Sequence, residues 1–402
     1  MASLTIDTVR NPQVVRGPRQ VNMRLDHQVL FQAKRKGNYV LRQDDRYATL
    51  DGIRGIAAMI VVAVHEHHMF PSWNVVHGYL AVDLFFIMSG FVLARTYEVR
   101  LQSGCLNTLQ FMRSRFIRLY PLYILGTILG DGALLLAGLF GPCSLMTQPV
   151  SVAIALGSAV FMLPAVLPSQ GLYPLDRPCW SLFFELIANV LYAKCIRLLS
   201  RRVLMATIMV AWLPLVAMIY YKGIDYGYTW KTAPVGFVRV VYAFAIGVLI
   251  HRSSVDRRIV SNAVVFVVLC ASALVLAVGD LGKIDRIYTA VCVSLFLPLI
   301  VIVSVRFEPE GWLRKLCLTS GAVSYGVYVL HSPLGTLVTT VETGVIKVDP
   351  DLIAATGIPF VVALALLVSG LERIYDARFR RILGNWLRVS SVRNQEQGVR
   401  VL

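Results

Sequence analysis

The sequence predicts an all-α polytopic membrane protein of about ten transmembrane helices, with one further re-entrant or interfacial segment. Three observations predict it. Of the 402 residues, 56% are hydrophobic and only 15% charged, and the mean hydropathy is +0.65. Apolar runs of about 17–25 residues recur along the chain, each able to cross a bilayer core of about 30 Å. Lys and Arg are concentrated in alternate connections, as expected when basic loops stay in the cytosol.

Residues 1–46 are polar and basic and lack the apolar stretch of a signal peptide. They are expected to form a cytosolic tail, with the first apolar run, Ile53 to Phe70, retained as a span. Spans are expected near 52–70, 79–95, 119–140, 180–196, 203–221, 235–250, 260–279, 287–305, 321–340 and 352–370. Together they make a membrane domain over 47–371, followed by a basic cytosolic tail over 372–402. The apolar stretch 150–167 is harder to place, and the basic residues arbitrate. With ten crossings and both termini inside, 31 of the 39 Lys and Arg fall on the cytosolic side. Six fall opposite: Arg177, Lys222, Lys231, Lys283, Arg286 and Lys347. If 150–167 also crossed, every later loop would change sides and the bias would vanish. A re-entrant or interfacial segment is therefore expected there, broken at Pro164 and Pro168. The expected location is a bacterial inner membrane.

The net charge of +16 follows membrane sidedness and builds no recognition motif, so nucleic acid is not expected as a partner; the lipid bilayer is. The seven cysteines show no metal-ligand spacing. Cys143 and Cys179 are expected on the far side, where they either form a disulfide or are two unrelated small residues.

The chemistry rests on polar residues that a membrane normally excludes. Arg54 and His65 are eleven residues apart, so on one helix they share a face and are separated by roughly 16 Å along the axis. A neutral imidazole at His65 can act as a general base toward a hydroxyl; alone it can equally be a helix–helix hydrogen bonder. Glu66, His67 and His68 either tune His65 or mark the wet end of the span. A metal held by His65 and His68 lacks a third ligand, so no metal is expected. Arg115 and Arg118, one turn apart where a span begins, can chelate phosphates or simply anchor the helix. Asp83 and Ser89 with Gly90 open the second span, and Gly90 permits close helix packing. Trp180 and Glu185 open a later span, and Tyr325 and His331 lie in another. Polar groups on so many separate spans predict a hydrated cavity.

Five segments resemble the acyltransferase-3 family of membrane acyltransferases, in family order over about residues 45–371. They are Leu50-Asp-Gly-Ile-Arg54-Gly through His65, Val82-Asp83-Leu-Phe-Phe-Ile-Met-Ser89-Gly90, Arg115-Phe-Ile-Arg118-Leu-Tyr-Pro121, Trp180-Ser-Leu-Phe-Phe-Glu185 and Ser324-Tyr325-Gly-Val-Tyr328-Val-Leu-His331-Ser-Pro333. The resemblance implies an acyl-CoA co-substrate taken from the cytosol, expected to be acetyl-CoA, and O-acylation of a glycan or glycolipid acceptor, with no permanently bound cofactor. It implies Arg54 and His65 as the catalytic pair and Arg115 and Arg118 as contacts to donor phosphates. Asp83, Ser89, Trp180, Glu185, Tyr325 and His331 are expected to line or orient the cavity. Many members of the family it resembles have an acid three residues after the motif histidine. Here that position is His68, and Glu66 is the expected substitute. Some relatives carry a fused extracytoplasmic domain; this chain is expected to work without one or with partner proteins of glycan assembly.

The expected mechanism has His65 deprotonate an acceptor hydroxyl, which attacks the thioester directly or after an acyl-enzyme relay. The rival class is a transporter of a lipid-linked sugar or small anion through the same cavity, with His65 and Glu185 as a proton relay. Arg115 and Arg118 favour the enzyme, since a sugar carrier has no necessary use for them. Lipopolysaccharide, exopolysaccharide, a lipid-linked oligosaccharide, a lipo-oligosaccharide signal and a macrolide-like glycoside all remain open as acceptors.

Overall fold

A computed structural model describes residues 46–73, 75–140, 149–167, 171–223, 226–253 and 255–386. The fold described is that of the unit Tyr47–Leu402. It is built almost wholly of helices, and one occupies each of the ten expected spans. They are α1 Ala48–His65, α2 Leu80–Gln102, α3 Thr108–Phe140, α4 Pro149–Val160, α5 Trp180–Cys195, α6 Arg201–Lys222, α7 Ala233–Arg252, α8 Asn262–Leu276, α9 Asp285–Val291, α10 Leu297–Arg306, α11 Gly311–Thr340, the short α12 Pro350–Ile353 and α13 Gly357–Leu371. A π-turn over Cys292–Phe296 joins α9 and α10 into one crossing, and a second over Glu372–Asp376 carries α13 onward. The helix that begins at Gly357 runs on to Trp386.

Among the described residues, seven helices are long and apolar enough to cross a bilayer by length and composition: those of α1, α2, α3, α6, α7, α9–α10 and α13. The structure is thus an all-α polytopic membrane protein. The extra stretch, α4, has 12 residues, roughly 18 Å of helix, well short of the bilayer core. Pro164 lies in the irregular chain that follows it, and Pro168 and Cys143 lie outside the described residues.

α1 packs chiefly on α11 and then on α8 and α2. α2 crosses α7 at two glycines that must stay small. A Cβ on Gly90 would lie 2.2 Å from the Phe244 carbonyl oxygen, and one on Gly247 would lie 2.0 Å from that of Ile87. The expected close packing at Gly90 is therefore backbone against backbone, the usual way that helices adhere where no hydrophobic force separates them from lipid. The start of α1 is tied down from far along the chain. The Ala48 N–H donates to Glu308 Oε2 at 2.9 Å, which satisfies a donor that a helix N-terminus leaves unpaired. Glu308 belongs to a two-residue parallel ladder, β1 Arg258–Ile259 with β2 Phe307–Glu308, and is flanked by Arg257 and Arg314. Prolines inside α3 (Pro121) and α11 (Pro333) are tolerated because neighbouring helices cover the freed backbone groups.

Candidate active site

The two ends of α1 build two clusters. At its C-terminal end the chain docks along one face of α11 in steps of one turn. His65 meets His331 edge to face, with ring centroids 5.1 Å apart and planes at 69°. Glu66 packs on Gly335, where a Cβ would lie 2.2 Å from the Glu66 carboxyl carbon. Thr339 Oγ1 lies 2.6 Å from His68 Nε2. Residues 331, 335 and 339 are i, i+4 and i+8, one stripe of a helix, so Gly335 leaves the gap that a buried carboxyl fills. His68 is committed to Thr339. Among the described residues, no group of three or more His, Cys, Asp or Glu is arranged to hold a metal ion.

The histidine tautomers follow from their backbone partners. His65 Nδ1 lies 2.9 Å from the Val61 carbonyl and His331 Nδ1 lies 3.1 Å from that of Val327. A carbonyl only accepts, so each Nδ1 carries a proton and each Nε2 bears the lone pair in the neutral ring. His65 is exposed, and His331 is fully buried with an Nε2 that has no partner among the described residues. Next on α11, Tyr328 has its ring centroid 6.1 Å from that of His331. Its hydroxyl donates to the Pro178 carbonyl at 3.0 Å and lies 2.7 Å from Ser181 Oγ at the start of α5.

At the opposite end lies an arginine cluster. Glu185 gathers two of the predicted residues onto one oxygen: Oε1 accepts from Ser89 Oγ at 2.7 Å and from Arg115 Nη2 at 3.1 Å. This joins α2, α3 and α5 through side chains the sequence could only place on separate spans. Arg115 is buried and its Nε has no hydrogen-bond partner among the described residues. Arg118, one turn further along α3, is exposed and makes no ion pair among the described residues. The charges of Arg54, Arg115 and Arg380 all act on it. Arg54 is paired with Asp51 one turn back on α1. Tyr325 on α11 donates its hydroxyl to the Leu119 carbonyl at 2.6 Å, which fixes α11 to α3 beside these arginines.

Two predicted residues stand apart from both clusters. Asp83 forms a buried bidentate pair with Arg239 of α7, Nε to Oδ1 at 3.0 Å and Nη2 to Oδ2 at 2.8 Å. Arg239 also donates to the carbonyls of Tyr226 and Tyr79 and lies over the Trp180 ring at 5.5 Å. Asp83 and Trp180 thus enclose a guanidinium that locks α2, α7 and the start of α5 together. Between α4 and α5, Asp176 accepts from the Cys179 thiol at 2.9 Å and leaves Oδ1 buried and without a hydrogen-bond partner among the described residues, beside a small cavity edged by Thr127, Ala159 and Tyr173. Burial pushes the Asp176 carboxyl up to about 7. Reading the sequence missed the roles of Arg239, Tyr328 and Asp176. A lone arginine within an apolar span was the one visible signal.

The bundle is a multi-pass membrane protein that keeps imidazoles at one end of α1 and guanidiniums at the other. The chain belongs to the acyltransferase-3 family: the family's pattern, described as an acyltransferase domain, matches residues 47–371. It is an acyltransferase, and the transporter alternative is set aside. Among named relatives, the "Protein 2 in picA locus" of Rhizobium radiobacter is 40% identical over 158 residues, 37% of this chain and 82% of that protein. The "Exopolysaccharide production protein ExoZ" of Rhizobium meliloti (strain 1021) is 26% identical over 262 residues, 63% of this chain and 76% of that protein. No solved structure matches the chain.

Proposed function

We propose that the protein transfers an acyl group, acetyl in the simplest case, from cytosolic acyl-CoA to a hydroxyl of an exopolysaccharide or its lipid-linked precursor. The single observation that carries this reading is the division of the site. Arg54 and His65 share one helix roughly 16 Å apart, with guanidiniums gathered at one end and the paired imidazoles at the other. Coenzyme A has the same layout, with phosphates at one end and a thioester at the end of a long arm. The exopolysaccharide acceptor follows the name of the Rhizobium meliloti relative.

In this reading Arg118 and Arg115 hold phosphate oxygens, the second kept oriented by Glu185. Arg54 helps bind the donor, because at about 16 Å it is too far to stabilise charge that develops beside His65. His65 Nε2 takes the proton of the acceptor hydroxyl. The oxygen attacks the thioester carbonyl, an oxygen–carbon bond forms, and the carbon–sulfur bond breaks. The departing thiolate takes the proton from the imidazolium, which leaves an ester, free CoA thiol and neutral His65. His331, edge-on to His65, holds that ring in place. The arginine end faces the cytosol, in a bacterial inner membrane with both termini inside. Glycans from a strain lacking the protein test the reading. They should lose an acyl substituent that the wild-type chain restores and His65→Ala does not. Unchanged acylation in the deletion strain would contradict it.

A further inference from the structure

The helix begun at Gly357 does not stop where the family's match stops, at residue 371. Its continuation carries Glu372, Asp376 and Arg380, which at i, i+4 and i+8 form one stripe. That stripe lies against the arginine end. Phe379 approaches Tyr120 of α3, with ring centroids 6.5 Å apart, and Tyr375 packs on Phe379. Along the stripe the charges line up in order. Glu372 feels Arg54 and Arg118, Asp376 feels Arg118, and Arg380 lies furthest along the helix. Asp376 is buried and grips the fork of Arg380. Nε donates to Oδ1 at 3.0 Å, and Nη2 pairs with Oδ2. One edge of the guanidinium is thereby fixed by a carboxylate. The rest remains reachable, since the Arg380 side chain is 37% exposed. Arg118 is exposed, and the charge of Arg380 acts on it. Two reachable guanidiniums from two helices, one of them held in a set orientation, make a site for a dianionic phosphate.

We propose that Arg380, oriented by Asp376, forms with Arg118 a subsite for the 3′-phosphate of the coenzyme A donor. The inference rests on the acyl-CoA reading above and deepens it. The pyrophosphate lies on the pantetheine side of the nucleotide, so Arg115 and Arg118 meet it first as the arm enters toward His65. The 3′-phosphate branches off the ribose to one side, and Arg380 stands beside α3, where its neighbour Phe379 meets Tyr120. The same phosphate chemistry could come from an anionic lipid headgroup, and the test separates the two.

CoA and dephospho-CoA, which lacks only the 3′-phosphate, are titrated into the full-length protein in nanodiscs of phosphatidylcholine, and again in discs containing phosphatidylglycerol. Wild type should prefer CoA about tenfold or more in both lipids, the size of one charge-assisted hydrogen bond. Arg380→Ala should bind CoA no better than dephospho-CoA. Arg380→Lys should recover part of the preference, and Asp376→Asn, which keeps the cation and removes its anchor, should fall between. A purely structural role for Arg380 would weaken both compounds equally and leave the ratio intact, which overturns the proposal. An effect of Arg380→Ala seen only in anionic discs assigns the residue to headgroups and overturns it as well. Should Arg380→Ala fail to fold, an unchanged ratio in both Arg380→Lys and Asp376→Asn overturns it. Wild type that binds neither compound contradicts the donor reading itself, and this inference with it; wild type that binds both equally contradicts the 3′-phosphate subsite alone.

Discussion

His65 and His331 meet edge to face with ring centroids 5.1 Å apart, and each is fixed by an Nδ1–H donated to the carbonyl one turn before it. The contact pairs an exposed imidazole with a buried one, so only the first can reach a substrate. Two imidazoles this close also oppose double protonation.

His331→Ala should therefore lower kcat by about 10²-fold, at the bottom of the range for loss of acid–base assistance, while KM for the donor stays near wild type. Steady-state kinetics on purified protein check this. A kcat within twofold of wild type would reduce His331 to packing.

The Arg239–Asp83 pair should behave differently. Arg239→Ala leaves a buried carboxylate without its partner, which costs about 3–5 kcal/mol. Thermal melting in detergent should show a large loss with no donor present. The double variant Arg239→Met with Asp83→Leu should recover much of it, since both charges are then gone. Equal melting of wild type and Arg239→Ala would mean that the pair holds nothing together.

How far the sequence revealed this arrangement depended on the residue. The helices of the membrane domain were legible because long apolar runs report a bilayer directly; a helix occupies each of the ten expected stretches, and seven helices among the described residues are long and apolar enough to cross. Arg115, Ser89 and Glu185 were each visible as polar intruders, but their convergence on one carboxylate oxygen depends on how α2, α3 and α5 pack, which no local pattern encodes. Asp83 was legible as an anomaly and not by purpose, because its partner Arg239 lies 156 positions away. The docking of Glu66 on Gly335 and of His68 on Thr339 was hidden for the same reason. Gly335 looks like any small residue until the opposing carboxyl is in place.

Sidedness follows from the charge bias. Reporter fusions after Arg46, Arg202, Arg258 and Arg381 should all report cytosol, and fusions near Cys143 and near Asp176 should agree with each other on the opposite face. The 12-residue α4 is too short to separate those last two. If they report different sides, α4 crosses, and either the downstream half inverts against its own charge bias or one of the other spans is lost.

Asp176 gives a pH dependence with a definite sign. Its carboxyl titrates near 7 in the fold against about 3.9 unfolded. The protonated form therefore favours the folded state, and its contribution is complete below about pH 4 and lost as pH rises through about 7. Asp176→Asn should raise the thermal midpoint relative to wild type at pH 8, with the advantage gone by pH 4. Melting curves at the two pH values decide it. An advantage of equal size at both would show that the carboxyl does not titrate in this range.

Acyl transfer from CoA by His65 frees a thiol that can be followed directly. The most direct measurement is thiol release from acetyl-CoA by purified protein, with and without a polysaccharide acceptor carrying free hydroxyls. Wild type should release CoA in step with acceptor acylation, and His65→Ala should lose about 10²–10⁴-fold of that rate while melting as wild type does. Release that continues at the wild-type rate in His65→Ala would contradict the account.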